Sequence, residues 1–211
     1  MNSDQFIRDN TELIAPPLVP EITLHLASEV VPLWRKTEEE LAEIRVPPPY
    51  WAFAWAGGQA LARYILDHPD LAAGRRVLDF GAGSGLVALA AAKAGADHVI
   101  AADIDRFAVA AISRNAKANG LTIEAVDKDV IGSRDHFDLI LVGDMCYERP
   151  LAEPLMAWLK ETQADILLGD PGRTYFPKSG LTRLATYNVS TTRELEDREI
   201  RETSVWRLDR A

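Results

Sequence analysis

The chain has 211 residues, 47% of them hydrophobic and 26% charged, and its 32 acidic and 23 basic side chains give a net charge of −9. That length buries a full core in one domain with an appended segment, and the acidic balance either repels phosphate backbones, counting against a nucleic-acid partner and for a basic or lysine-bearing one, or is the ordinary acidity of a soluble protein. A lone cysteine, Cys146, excludes an intrachain disulfide and a multi-thiolate zinc site, and His25, His68, His98 and His136 lack ligand spacing, so no metal is expected.

Residues 1–46 read as an accessory segment without a signal pattern. Pro16, Pro17 and Pro20 break it, Ile22–Leu26 alternates like a strand, and Thr37–Glu43 has the make-up of a charged helix. Pro47, Pro48 and Pro49 force an extended boundary, so the main domain is taken as 47–211. Within it, Gly57–Leu66 has helical spacing and stops before Pro69. The strand Val77–Phe80, the alanine-rich helix Leu86–Ala94, the strand His98–Ala102 and the helix Phe107–Ala118 then alternate. Strands follow at Ile123–Val126 and Phe137–Val142, a helix at Leu151–Lys160 and a strand at Ile166–Gly169. Alternation on this scale means βαβ units and a mostly parallel sheet covered on both faces. Thr186–Thr192 and Thr203–Leu208, rich in Thr and Val, read as two closing strands that pair antiparallel. The fold class is α/β, Rossmann-like. No apolar run reaches the roughly 20 residues a membrane span needs, and a cytoplasmic monomer with no membrane partner is expected.

One stretch names a cofactor. Asp79-Phe80-Gly81-Ala82-Gly83-Ser84-Gly85 joins a strand to a helix through glycines that let backbone approach a ligand. A dinucleotide fingerprint would need glycine at position 86, which is Leu86, and there is no P-loop lysine. An acid instead precedes the first glycine, and a second, Asp103, ends the next strand, placed to accept from a ribose diol. Acid, glycine turn and ribose acid together read as a site for S-adenosylmethionine, whose amine and sulfonium are positive. Asp79 either holds the turn or counters that cation directly. Asp129, after the third strand, is an acceptor for an adenine amino group or a solvated loop acid. Trp51 and Trp55, with Phe53 between them and Gly58 just beyond, wall the cofactor or seal the N-terminal segment to the core. Asp105 is expected to cap the helix that follows it.

Taken together, PYWAFAWAGGQALARYIL, VLDFGAGSGLVALAAAKAGA, AADID, FDLILVGDMCYE and LLGDPGR resemble the seven-β-strand methyltransferases. More narrowly, they resemble the protein-lysine methyltransferase branch that modifies the β subunit of electron transfer flavoprotein. The likeness runs from about residue 18 to the closing TSVWRL. It implies strand order 3-2-1-4-5-7-6 with strand 7 antiparallel, the cofactor at the ends of strands 1 and 2, and a substrate lysine entering near the end of strand 4. Ligands bind beyond the carboxyl ends of parallel strands, so Asp144–Glu148 should face the reacting methyl. Nucleic-acid amino-methylating enzymes carry prolines there; this chain has Asp144-Met145-Cys146-Tyr147. Asp144 is cast as the group that orients the lysine amine, with a helix or turn cap as its alternative role, and Tyr147 as a wall or hydrogen-bond partner. Glu148, Asp170 and Arg173 are candidate contacts with the protein substrate. Cys146 has no histidine base in reach and reads as a small core residue. A ribosomal-protein lysine, a small molecule, or an inactive cofactor-binding module are the rival readings.

Overall fold

The computed structural model describes residues 3–28, 47–191 and 200–210. The helix expected at Thr37–Glu43 lies outside them. The chain opens with α1 (Ser3–Asp9) and an antiparallel ribbon of β1 (Glu12–Ile14) and β2 (Leu24–Leu26). Neither α1 nor β1 was expected, because seven and three residues are too few for an apolar period to show. The strand expected from Ile22 begins at Leu24.

After a short turn at Tyr50–Ala52 come α2 (Ala56–Asp67), β3 (Arg76–Phe80), α3 (Leu86–Lys93), β4 (His98–Asp103), α4 (Arg106–Ala118) and β5 (Glu124–Asp127). Then follow β6 (Leu139–Gly143), α5 (Arg149–Glu161), β7 (Asp165–Asp170), β8 (Leu181–Ser190) and β9 (Ile200–Leu208). The sheet has seven strands in the order β5-β4-β3-β6-β7-β9-β8. Counted from its own first strand that is 3-2-1-4-5-7-6, and β9 runs antiparallel to both neighbours, as the resemblance implied.

Strands β3, β6 and β7 are buried on both faces. Val77, Leu139, Leu141 and Leu167 point into a core shared with α2, α3 and Ile112 of α4; Leu78, Ile140, Val142 and Leu168 point into a second core capped by Leu155, Trp158 and Leu159 of α5. Alternate residues of one apolar run thus feed opposite layers, which explains why these strands lack polar alternation. The closing pair matches in kind but not in extent. β8 starts at Leu181 rather than Thr186, because a register shift between Arg183 and Ala185 breaks the period of two and an edge strand has little to bury.

The N-terminal residues dock on the main body. Val19, Ile22, Leu24 and Leu26 join the core beneath α2 and α3. Asn115 of α4, fully buried, accepts from His25 N at 2.7 Å and donates to Ser84 O at 2.8 Å, joining the ribbon to the glycine turn. Arg114 pairs with Asp4 at 2.6 Å.

Candidate active site

Gly81, Gly83 and Gly85 all adopt positive φ (62°, 51° and 78°), which only glycine takes at little cost. Gly85 caps α3 and faces Ile112, 3.1 Å from where a Cβ would stand. The two flanking acids lock this turn. Asp103 accepts from Gly83 N through Oδ2 and from Asp105 N through Oδ1, both at 2.9 Å. Asp79 accepts from Ala88 N, inside the first turn of α3, at 2.9 Å. Only 2% exposed, Asp79 is pushed up to about 8, first by burial and then by the charge of Asp103, against the Ala88 hydrogen bond. Burial likewise raises Asp103, against its backbone donors. Asp105 caps α4, accepting from Phe107 N at 2.8 Å.

The opposite wall comes from α2 and the ends of β6 and β7. Both strands end in Gly-Asp, with Gly143 and Gly169 in register. A Cβ on Gly169 would overlap the Gly57 carbonyl and stand 2.9 Å from Leu61 Cβ; one on Gly143 would stand 3.1 Å from Gly58 Cα. Bare glycine backbone is what lets the start of α2 lie directly on the strand ends. Asp144, next in the chain, has φ 59°, the one non-glycine positive value among the described residues. Its N–H donates to Gly169 O at 3.0 Å, and Oδ2 accepts from Gly58 N at 3.0 Å, capping α2 from another element. Oδ1 accepts from Arg173 Nε at 3.1 Å and Nη2 at 2.7 Å. The Arg173 guanidinium lies 5.8 Å from the Trp55 ring centroid. Asp170 folds the loop that carries Arg173, accepting from Gly172 N at 2.6 Å and Arg173 N at 2.7 Å; burial pushes it up to about 6, and the charge of Asp144 adds to that.

Trp55, Gly58, Asp79, Gly81, Gly83 and Asp144, six residues singled out in the sequence, line one cleft with Phe53 and Ser84. Asp103 reaches it through Gly83, and Gly85 stands behind the turn. Tyr147, 44% exposed, has its ring centroid 6.1 Å from that of Tyr50, which is 6.0 Å from Trp55. Arg173 and Asp170 sit behind Asp144, and Glu148 is an exposed residue preceding α5. Two candidates lie elsewhere. Trp51, 1% exposed, stacks on Phe107 in the aromatic core shared with α1, and Asp129 is exposed and accepts from Ile131 N at 2.9 Å. Cys146 is 1% exposed and its thiol is pushed up to about 12, chiefly by burial, so it is no nucleophile. Among the described residues no group of three or more His, Cys, Asp or Glu is arranged to hold a metal, and no helix is long and apolar enough to cross a membrane. The sequence reading missed Asn115 and the Gly57–Gly143–Gly169 contact; the repeated Gly-Asp at two adjacent strand ends was the available signal.

A glycine turn after the first strand of a 3-2-1-4-5-7-6 sheet, with an acid at that strand and another ending the next, defines the class of S-adenosylmethionine-dependent methyltransferases. The structure of the Thermus thermophilus 16S rRNA N2 G1207 methyltransferase with bound cofactor matches this fold with a TM-score of 0.61 at 18% identity, over 96% of this chain and 51% of that one. The family described as ribosomal protein L11 methyltransferase (PrmA) matches residues 59–164. Two likenesses that span most of both chains are narrower: the electron transfer flavoprotein beta subunit lysine methyltransferases of Danio rerio (41% identical, 97% of this chain, 82% of that protein) and Rattus norvegicus (37%, 95% and 82%). The chain belongs to the electron transfer flavoprotein beta subunit lysine methyltransferase family.

The residues present fit that cofactor. A Cβ on Gly83 would meet nothing closer than Trp51 Cα at 3.8 Å, so the turn leaves space where a ligand needs it, and the buried Asp79 carboxyl beside that space is a group whose ionised form a cation would favour.

Proposed function

We propose that this chain methylates a lysine of the electron transfer flavoprotein β subunit, the protein its relatives' names carry. The observation that supports this most is Asp144: a carboxylate fixed in a strained backbone position at the end of the fourth strand, facing the cofactor cleft and beside the aromatic mouth of Tyr147, Tyr50 and Trp55. Asp79, Gly58, Gly81, Gly83 and Trp55 would hold the cofactor, with Asp103 toward its ribose. S-adenosylmethionine, when bound, supplies a methyl group on a positive sulfur, an electrophile that needs no further activation.

The chain's task is therefore to present a neutral, aimed amine. A lysine in water, with a pKa near 10.4, is neutral about once in a few thousand at pH 7. The aromatic mouth strips water from the side chain and lowers that pKa. Asp144 then accepts an N–H of the amine, turning the lone pair toward the cleft; orientation of this kind is worth orders of magnitude in rate. Glu148, exposed just before α5, would touch the surrounding substrate protein. The division into an accessory segment 1–46 and a catalytic domain 47–211, and action as a cytoplasmic monomer, belong to the same proposal.

Labelled S-adenosylmethionine incubated with the purified chain and a cell extract tests it. A labelled band at the size of the flavoprotein β subunit, with methyl-lysine found by mass spectrometry, supports the proposal. Label on a different protein moves the substrate, and label only on small molecules or nowhere refutes it.

A further inference from the structure

Two buried amides hold the walls of the cofactor cleft from behind. Asn115 on α4 is fully buried; its Oδ1 accepts from His25 N at 2.7 Å and its Nδ2 donates to Ser84 O at 2.8 Å. Gln59 on α2, 2% exposed, repeats the arrangement. Its Nε2 donates to Ala54 O at 2.7 Å, and its Oε1 accepts from Leu18 N over a longer 3.4 Å. A backbone N–H only donates and a carbonyl only accepts, so these partners fix which way each amide points. Ser84 and Ala54 both line the cleft, one in the glycine turn and one between Phe53 and Trp55. His25 and Leu18 both belong to the N-terminal segment. Each amide therefore has one end on that segment and the other on a wall of the cleft.

The walls need such a grip. Ser84 stands between Gly83 and Gly85, both at positive φ, and glycine backbone is the freest in any chain. A loose turn would lose that freedom each time a cofactor bound, and ordering of this kind weakens affinity. Holding the Ser84 carbonyl fixes the peptide plane that leads into Gly85. Ala54 lies in irregular backbone ahead of α2, and the Gln59 bond steadies it beside Trp55. The segment is itself anchored at other points. Thr23 exchanges both backbone groups with Asn119, at 3.0 and 2.7 Å, and Ala27 N donates to Ala52 O at 2.9 Å. We propose that Asn115 and Gln59 are positioning residues through which the docked N-terminal segment sets the affinity for the cofactor. This rests on the cofactor reading and is independent of which protein receives the methyl group.

Calorimetric titration of the full chain with S-adenosylhomocysteine, the cofactor without its methyl group, tests it at a temperature well below melting. Asn115→Leu keeps the side-chain volume and removes both hydrogen bonds. It should weaken binding at least about fivefold, the lower end of the usual coupling between distinct sites. Gln59→Met removes the bridge to the other wall and should also weaken binding. Asn119→Ala unties Thr23 from α4 without changing a residue that lines the cleft. It should weaken binding by about two- to tenfold, the net worth of one hydrogen bond, and by much less in an Asn115→Leu background, where the route is already cut. Bonds that serve only the fold would lower Tm and leave affinity unchanged. That result in Asn115→Leu, or an equal effect of Asn119→Ala in both backgrounds, overturns the inference and leaves the proposed function standing. If Asn115→Leu does not fold, Gln59→Met and Asn119→Ala decide, and unchanged affinity in either overturns it. A wild-type chain that binds no S-adenosylhomocysteine overturns this inference and the cofactor reading together.

Discussion

Gly57 and Gly58 are neighbours at the start of α2, but a methyl group on each has opposite consequences. Gly58 has ordinary helical backbone, and a Cβ there would meet only Val87 Cγ2, at 3.9 Å. Replacing glycine by alanine inside a helix stabilises by roughly 0.5–1 kcal/mol, and in a chain of this size each kcal/mol moves Tm by about 2–4 °C. Gly58→Ala should therefore unfold at a slightly higher temperature than the wild type. The same methyl occupies a cleft whose open volume is about 50 Å³. Overpacking of this kind costs about 1–3 kcal/mol, which for the cofactor is a loss of roughly 5- to 150-fold in affinity. At Gly57 the added Cβ would overlap the Gly169 carbonyl and stand 2.5 Å from Asp144 Oδ2. Neither backbone can yield, so α2 must lift, and Gly57→Ala should lose about 1–3 kcal/mol of stability. Thermal unfolding and calorimetric titration with S-adenosylmethionine, run on the same preparations, read both quantities. A Gly58→Ala protein that melts below wild type, or binds cofactor as tightly, would refute the assignment of Gly58 to the ligand.

Asp144→Asn keeps an oxygen for Gly58 N–H and tolerates the left-handed backbone. It should lower kcat by about 100-fold, the scale of a lost alignment, with cofactor affinity nearly unchanged; a collapse of cofactor binding would mean that Asp144 builds the cleft rather than aims the amine. For Asp79 the sign follows from its raised value. The unfolded chain ionises near 3.8 and the folded one near 8, so between them the folded state holds the extra proton, and stability falls as pH rises through that window. Asp79→Asn has no such titration, so its Tm should gain on the wild type from pH 5 to pH 8 while its affinity for the cationic cofactor drops. A constant Tm difference across that range counts against the assignment. Cys146→Ala should retain wild-type kcat, and native protein should resist thiol alkylation; inactivation by a thiol reagent without unfolding would contradict the burial of Cys146.

Much of the parallel half was legible because its rules are local. The run from Val77 through Asp103 shows strand, glycine turn, helix and strand in sequence order, and each flanking acid bonds to backbone in or just beyond that run. The wall opposite was harder to read. Asp144 meets Gly58 across 86 positions and Arg173 across 29, and no periodicity announces such pairings. Trp51 shows the limit of composition: three aromatics in five residues suggest a ligand wall, but only the fold decides that Trp55 faces the cleft while Trp51 stacks on Phe107. Asn115 was invisible because its two partners, His25 and Ser84, are remote in the chain and both are met through backbone atoms.

The placement of β9 between β7 and β8 bears on how the molecule is assembled. β8 is made first but hydrogen-bonds within the sheet only to β9, and the edge of β7 is the slot that β9 fills. A nascent chain halted at residue 199 therefore holds a five-stranded sheet with an open edge, the seven strands less β8 and β9. On the ribosome, amide protection in β8 should appear only when β9 emerges, so the two strands enter as one unit. Losing the final strand costs the sheet two.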